Sequence, residues 1–474
     1  MSLLNAACGD ERVAVIDAAD GAHLTYGALR EVTRSASKES GVSFLIARNR
    51  AAIVQALFHE WASGRAVGLL NPDLPSASQQ ALIDLYRPHR LIGFRADLES
   101  LAGPYRSDGA MFGDVAVMRR NTPNAPNVHP DLFLLLATSG TTGGAKFVRL
   151  SQANLKANAN DIALALGITS NDVALAHLPL HYSFGLSVIT SHLSSGAKVV
   201  LSEVGLISAK LWEACRRYGC TSLSAVPAHM DMLQKLTLRR LKVDTLTTVC
   251  QAGGRADRTT LEAIHLELSQ RAGGRLFVMY GQTEASPRMT TLPADKFQEK
   301  PGSVGCALPS GRLRIEGEDG ALCAPGETGQ VVYHGANVMM GYAATAEDFA
   351  LGDVTGGRLV TGDLGYLDTE GYLFLTGRVA RFAKVAGLRI ALDEVERIGG
   401  ELAFCAAIDA GDRVIVVTAT PASGKDELAK ALLQKLYDAT SAPLRSFDVR
   451  FVDELPRKSN GKLDYKALKE ALVP

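Results

Sequence analysis

Residues 134–151 read LLLATSGTTGGAKFVRLS. Between Ser139 and Lys146 lie three glycines, two threonines, a serine and a lysine, behind an apolar run and ahead of a helix-like segment. Glycines leave backbone N–H groups open, hydroxyls donate hydrogen bonds and Lys146 adds a cation, which is the chemistry of a phosphate cradle. It is not the Walker loop, which needs Gly-Lys-Ser/Thr five positions after its first glycine. Ala145 stands five positions after Gly140, and Phe147 follows Lys146. Gly-x-Gly-x-x-Gly fails as well. Alone, the stretch reads equally as a Gly/Ser/Thr surface turn.

Outward from this loop, short apolar runs alternate with helical stretches. SFLIA (43–47), AVGLL (66–70) and RLIGF (90–94) read as buried strands, and AAIVQALFHEWAS (51–63) as a helix between them. AKVVLSE (197–203), SLSAVP (222–227), TTVCQAG (247–253) and RLFVMYG (275–281) repeat the theme, with helical LWEACRRYG (211–219) interposed. This alternation predicts α/β layers with largely parallel sheets. From about residue 301, RLRIEGEDG, GQVVYHG and GYLFLTGR are strands separated by Gly/Asp turns, the pattern of a small antiparallel sheet. Beyond Arg381 a helix, a strand, the amphipathic KDELAKALLQKLYDATS and the strand FDVRFVDELP make a small α+β domain. The expected division is 1–380 and 381–474, with the boundary near 378–382.

The chain has 474 residues, enough for two or more cores, with 50 Lys plus Arg balanced by 50 Asp plus Glu. That balance gives no sign of nucleic-acid binding or a membrane-surface role. No uncharged apolar stretch nears the ~20 residues of a membrane span, and Asp10, Glu11 and Arg12 stand where a signal peptide needs an apolar run. The seven cysteines, at 8, 215, 220, 250, 306, 323 and 405, form no Cys-x-x-Cys pair. Reduced thiols in a cytoplasmic protein are expected.

Three further segments accompany the loop: VMYGQTEAS (278–286), RLVTGDLGYLDTEGYLFLTGR (358–378) and LPRKSNGKLDY (455–465). In this order the four motifs resemble the adenylate-forming superfamily of acyl- and aryl-CoA synthetases, luciferases and peptide-synthetase adenylation domains. The likeness runs along nearly the whole chain, through NPDLP (71–75) and GETGQVVYHGANVMMGY (326–342) as well. It implies a large AMP-binding domain followed by a small mobile one. Thr138, Ser139, Gly140, Thr141, Thr142, Gly143 and Lys146 would grip the β- and γ-phosphates; Ala145 departs from the family's usual proline. Tyr280, with Gly281 and Gln282, would stack on adenine beside a backbone platform at Gly253 and Gly254. Thr283 would touch the α-phosphate, Glu284 would attend Mg²⁺, and Asp363 and Arg378 would hold the ribose. Lys462 would bridge carboxylate and phosphate during adenylation.

The same resemblance assigns the acid pocket to HLPLHYSFGLSVITSHL (177–193), with His181, Tyr182, Phe184 and Gly185 as candidate lining residues. Amino-acid-activating relatives place an aspartate where this chain has Gly185. A buried ammonium without a counter-charge is costly, so an uncharged fatty or aryl acid is expected rather than an α-amino acid. Arg381 falls at the family's hinge, where Asp or Lys is usual. Lys384 and Gly387 resemble the residues that serve thioester formation and pass the pantetheine arm. The implied function is activation of a carboxylic acid by ATP and Mg²⁺, with pyrophosphate release, then transfer to coenzyme A. Transfer to the phosphopantetheine of an acyl carrier protein is an alternative, and a non-catalytic nucleotide-binding relative is another.

Overall fold

A computed structural model describes residues 3–101, 103–122, 125–137, 146–378, 381–385, 388–419, 424–440, 442–458 and 463–473. The glycine-rich loop 138–145, Gly387 and Lys462 lie outside the described residues, as does the side chain of Lys384.

Two large sheets carry the first three-quarters of the chain. One is nine-stranded among the described residues, in the order Cys306–Ala307, Arg288–Leu292, Arg275–Gly281, Thr248–Gln251, Ser222–Ala225, Val173–Ala176, Lys198–Leu201, Val13–Asp17, His23–Thr25. The other is eight-stranded, in the order Gly341–Ala343, Phe147–Ser151, Leu132–Ala137, Ala66–Leu70, Val42–Ile46, Arg90–Phe94, Val115–Arg120, Tyr105–Phe112. Central strands pair in parallel and edge strands antiparallel. Val42–Ile46 and Ala66–Leu70 are buried at every position, as a parallel strand covered on both faces must be. The helix Ala51–Ser63 joins them and stops at Gly64, which turns left-handed and caps the last carbonyls.

The main core lies between these sheets. It joins Leu45, Val67, Leu134 and Leu136 of one to Ala174, Val199, Cys250 and Phe277 of the other. The helix Ser183–Ser194 runs through it, buried along nearly its whole length, and packs on the helix Gln152–Leu166. Its Ser187, Thr190 and Ser191 hydroxyls donate to carbonyls of their own helix, which satisfies them in the interior, and its first turn places Ser183, Phe184 and Gly185 there.

The antiparallel sheet expected after residue 301 consists of Gly311–Glu316, Gly329–Gly335, Arg358–Leu367 and Leu373–Arg378. After Arg381 come the hairpin Phe382–Val385/Leu388–Ala391, the helix Leu392–Gly399 and a sheet of Cys405–Asp409, Val414–Ala419 and Phe447–Val452. The last two strands pair in parallel because the helix Lys425–Thr440 crosses between them. Two apolar clusters of their own serve this C-terminal α+β part. The fold is therefore α/β layers, a small antiparallel sheet and a small C-terminal α+β part.

Candidate active site

The strand Arg275–Gly281 and the small sheet place Tyr280, Gln282 and Asp363 together. Antiparallel register sets Asp363 opposite Arg378, and Arg378 Nε donates to Asp363 Oδ1 at 2.8 Å. The Tyr280 hydroxyl donates to Asp363 Oδ2, and Gln282 Nε2 donates to the same oxygen at 2.7 Å and to the Thr361 carbonyl at 2.9 Å. Asp363 is buried, yet each oxygen has a donor. Burial, and then the Asp363 charge, push the Tyr280 phenol well above its usual range, so it remains a donor.

Gly253 sits at φ 83°, a backbone angle glycine adopts freely. A Cβ there would come within 2.5 Å of the Tyr182 hydroxyl. The expected adenine platform and the candidate acid-pocket residue Tyr182 thus touch. Gln251 Nε2 fixes the platform by donating to the Gly254 carbonyl at 2.7 Å. Ser183 Oγ and Thr283 Oγ1 share a hydrogen bond at 3.1 Å, which joins the acid-pocket helix to the Tyr280–Glu284 motif. Burial pushes Tyr182 up to about 12 and His181 down to about 4, so both rings are neutral near pH 7. His181 Nδ1 is buried without a hydrogen-bond partner among the described residues.

Glu284 accepts from the Tyr342 hydroxyl at 2.8 Å through Oε1. The Lys146 ammonium lies 3.5 Å from the centroid of the same tyrosine ring. Tyr342 therefore links the lysine that closes the glycine-rich loop to the expected Mg²⁺ carboxylate. Sequence reasoning quoted Tyr342 without assigning it a role; an exposed tyrosine before a strand end carries no signal of its own. Arg149 was missed too. Fully buried, it donates to the carbonyls of Met340, Tyr342, Leu351 and Gly352 and so ties the strand after the loop to the strand Gly341–Ala343.

Gly185 stands in the first turn of the helix Ser183–Ser194. A Cβ on it would meet the Pro179 and Leu178 carbonyl oxygens at 2.3 and 2.7 Å. Close backbone packing therefore requires glycine here, and the missing aspartate has a steric cause. Behind Phe184 lies a residue the sequence did not single out: the Arg288 guanidinium carbon is 4.9 Å from the Phe184 ring centroid.

Arg381 joins Asp393 and Glu396 in ion pairs, donates to the Ala407 carbonyl at 2.7 Å and lies 3.8 Å from the Tyr465 ring centroid. All these partners come from later in the chain. Arg378, three residues earlier, is held by Asp363. Arg457, five residues before Lys462, pairs with Asp231 at 3.4 Å, on the helix Pro227–Leu236 that begins beside Gly254.

A family model for the AMP-binding enzymes matches residues 5–343. The chain belongs to the AMP-binding enzyme family. It is an enzyme, an acid–thiol ligase of the AMP-forming type, as its four motifs imply. It is 31% identical over 360 residues to sulfoacetate–CoA ligase of Cupriavidus necator, covering 71% of this chain and 67% of that one. It is 33% identical over 347 residues to 2-succinylbenzoate–CoA ligase of Bacillus subtilis, covering 71% and 68%. Among solved structures, o-succinylbenzoate CoA synthetase (MenE) from Bacillus subtilis, in complex with its acyl-adenylate intermediate, superposes with a TM-score of 0.76. It has 26% identity and coverage of 97% of this chain and 95% of that one. The same synthetase in complex with ATP and magnesium ion superposes with a TM-score of 0.72 at 25% identity. Among the described residues no helix is long and apolar enough to cross a membrane.

Proposed function

We propose that this enzyme activates a carboxylic acid other than an α-amino acid and passes it to the thiol of coenzyme A, with ATP and Mg²⁺ as its other cofactors. The observation that carries this reading is the Asp363 cluster. Arg378 on one oxygen and Tyr280 and Gln282 on the other orient this buried carboxylate; Oδ1 keeps an acceptor site for one ribose hydroxyl, and the vicinal hydroxyl would take over a site on Oδ2 now held by Gln282 or Tyr280.

The residues present also fit a magnesium–nucleotide complex. Among the described residues only Tyr342 donates to the Glu284 side chain, at Oε1, which leaves Oε2 for a cation. Mg²⁺ keeps several waters and needs only one or two carboxylates beside phosphate oxygens; when bound there it would offset phosphate charge. Glu284 would hold it and Lys146 would face the terminal phosphates. The Thr283 hydroxyl, already shared with Ser183, would meet the α-phosphate.

Attack of one anion on another needs cations and oriented donors more than a base. The acid oxygen forms a bond to the α-phosphorus while the bond to pyrophosphate breaks. Lys462 supplies the cation between carboxylate and phosphate. The CoA thiolate then attacks the acyl carbon and AMP leaves. His181 and Tyr182, neutral and half-buried, shape the approach of the acid without adding charge. Arg381 is tied to the C-terminal part and Arg378 to Asp363, which supports a pivot between them and a division of the chain near residue 380. Rotation about it would exchange Lys462 for Lys384 and Gly387 between half-reactions. A cytoplasmic setting accords with seven unpaired cysteines.

The test is acid-dependent ATP–pyrophosphate exchange over a panel of acids, followed by product analysis with coenzyme A. One acyl-CoA, one AMP and one pyrophosphate per turnover are expected. Exchange with amino acids only, or ADP as product, would overturn the reading.

A further inference from the structure

Four arginines are buried among the described residues: Arg65, Arg90, Arg149 and Arg288. Three are satisfied. Arg65 and Arg90 pair with Glu39 and Glu60, and Arg149 is saturated by carbonyls. Arg288 is not. It is 3% exposed, and its Nε and Nη1 are buried with no hydrogen-bond partner among the described residues. No carboxylate there lies within ion-pair distance of it.

The groups around the guanidinium are neutral. One is the face of Phe184. Another is the Cys250 thiol, pushed up to about 11 by burial. A third is His192, pushed down to about 4 by burial, whose ring nitrogens are engaged by the Val188 carbonyl and the Ser222 hydroxyl. Burial brings Arg288 down to about 10, still far too high for it to lose its proton at neutral pH. Its backbone is pinned as well. The Arg288 carbonyl accepts from Asn158 at 2.8 Å and from Asn337 at 2.9 Å. The cation thus has Nε and Nη1 shut off from solvent and, among the described residues, no counter-ion.

A buried charge left unpaired is among the most costly features a fold can carry, and a partner brought by a ligand removes that cost. The location indicates which ligand. Arg288 begins the strand that follows Tyr280–Glu284, and it lies against Phe184. Phe184 is next to Ser183, which is bonded to Thr283. An acid whose carboxylate meets the Thr283 side would have its tail pass Phe184 toward this guanidinium.

Resting on the ligase reading above, we propose that the acid activated by this enzyme carries a second anionic group, a carboxylate or a sulfonate, and that Arg288 is its counter-ion in the acid pocket. This replaces the uncharged tail expected from the sequence. It also strengthens the case against α-amino acids, because a substrate ammonium would share a low-dielectric site with a fixed cation.

The experiment is pyrophosphate exchange by the full-length enzyme with matched acids: hexanoate against adipate, benzoate against terephthalate, and propanoate against 3-sulfopropanoate. In the best pair the dianionic acid should exceed its partner by about 10²-fold or more in kcat/KM, because the monoacid leaves a buried donor group unpaired. The carboxylate and sulfonate pairs tell the two anions apart. In Arg288→Leu that ratio should collapse or invert, and Arg288→Lys should keep part of it. If Arg288→Leu does not fold, the wild-type ratios decide alone. Exchange with monoacids in preference to every dianionic partner, or an equal loss on both series in Arg288→Leu, would overturn the proposal and leave the ligase reading standing. No exchange with any acid would instead remove the ligase reading.

Discussion

The two sides of the candidate site are built differently. On the Asp363 side, Tyr280, Gln282 and Arg378 already hold the buried carboxylate in place. On the side of residues 177–193, His181 Nδ1, His229 Nδ1 and Arg288 Nε and Nη1 are buried without partners among the described residues. Native proteins pair nearly all buried polar groups, so each orphan needs an explanation, and a ligand is the one proposed for Arg288. On the proposed reading the nucleotide side is set before anything binds, and the acid side is finished by its ligand.

The strongest way to break this comparison lies outside both sides. If the C-terminal part supplies the reacting cation, Lys462→Ala should lower adenylate formation by about 10²–10³ or more, yet convert a supplied acyl-adenylate to thioester. Lys384→Ala should keep pyrophosphate exchange and lose thioester formation. Separate assays of the two half-reactions check both; equal loss of both steps in both variants would contradict a rotation about residues near 380.

Next in size is Asp363→Ala. It removes two charge-assisted hydrogen bonds to the proposed ribose, roughly 1.5–3 kcal/mol each, and strips Arg378 and Tyr280 of their partner. Calorimetry should show ATP affinity falling by about 10²-fold or more. Unchanged affinity would reduce the Thr361–Asp363 segment to a turn.

The acid side has a pH signature. Burial holds His181, His192 and His229 near about 4, and burial with neighbouring His229 holds His177 near about 3. In the unfolded chain each takes a proton below pH ~6.5, but in the folded chain only near its depressed value. Their stability contribution is present above that pH and is lost as pH falls toward 4, with a slope approaching about 1.4 kcal/mol per pH unit for each. Urea unfolding from pH 7.5 to 4.5 measures the slope, and His192→Gln should make it shallower by about one proton. A flat profile between pH 6.5 and 5 would mean these rings are not buried neutral.

The smallest effect should come from Tyr342→Phe. The ring that Lys146 faces remains, and the donor to Glu284 goes. Both groups are partly exposed, so about 1 kcal/mol is expected, roughly fivefold in kcat/KM for MgATP. A loss confined to acid kinetics would detach Tyr342 from the nucleotide side.

Much of this was legible from the chain. Val42–Ile46, Ala66–Leu70 and Arg275–Gly281 form where uninterrupted apolar runs predict them, because strands covered on both faces need nothing else. Tyr280, Gln282 and Asp363 were named through the resemblance of their motifs to a known family, and they meet in space. Arg288 was not legible. In ASPRM nothing marks an arginine as buried, since burial there is decided by Phe184, Cys250 and His192 from distant segments. Gly185 was noticed for the wrong physical reason: its absent side chain reflects contact with the Leu178 and Pro179 carbonyls, which no local pattern displays. Arg381 looked like a departure at a hinge. Its partners Asp393, Glu396 and Tyr465 explain it, and they lie 12 or more positions away.

The central claim is that the acid is activated as an adenylate, on a nucleotide side already built, before any thiol arrives. A single-turnover reaction of wild-type enzyme with ATP, Mg²⁺ and a competent acid, without coenzyme A, tests it most directly. The account predicts about one equivalent each of pyrophosphate and enzyme-bound acyl-AMP per site, with the acyl-AMP discharged to acyl-CoA and AMP when coenzyme A is added. Release of ADP or orthophosphate, or no pyrophosphate until coenzyme A is present, would contradict it.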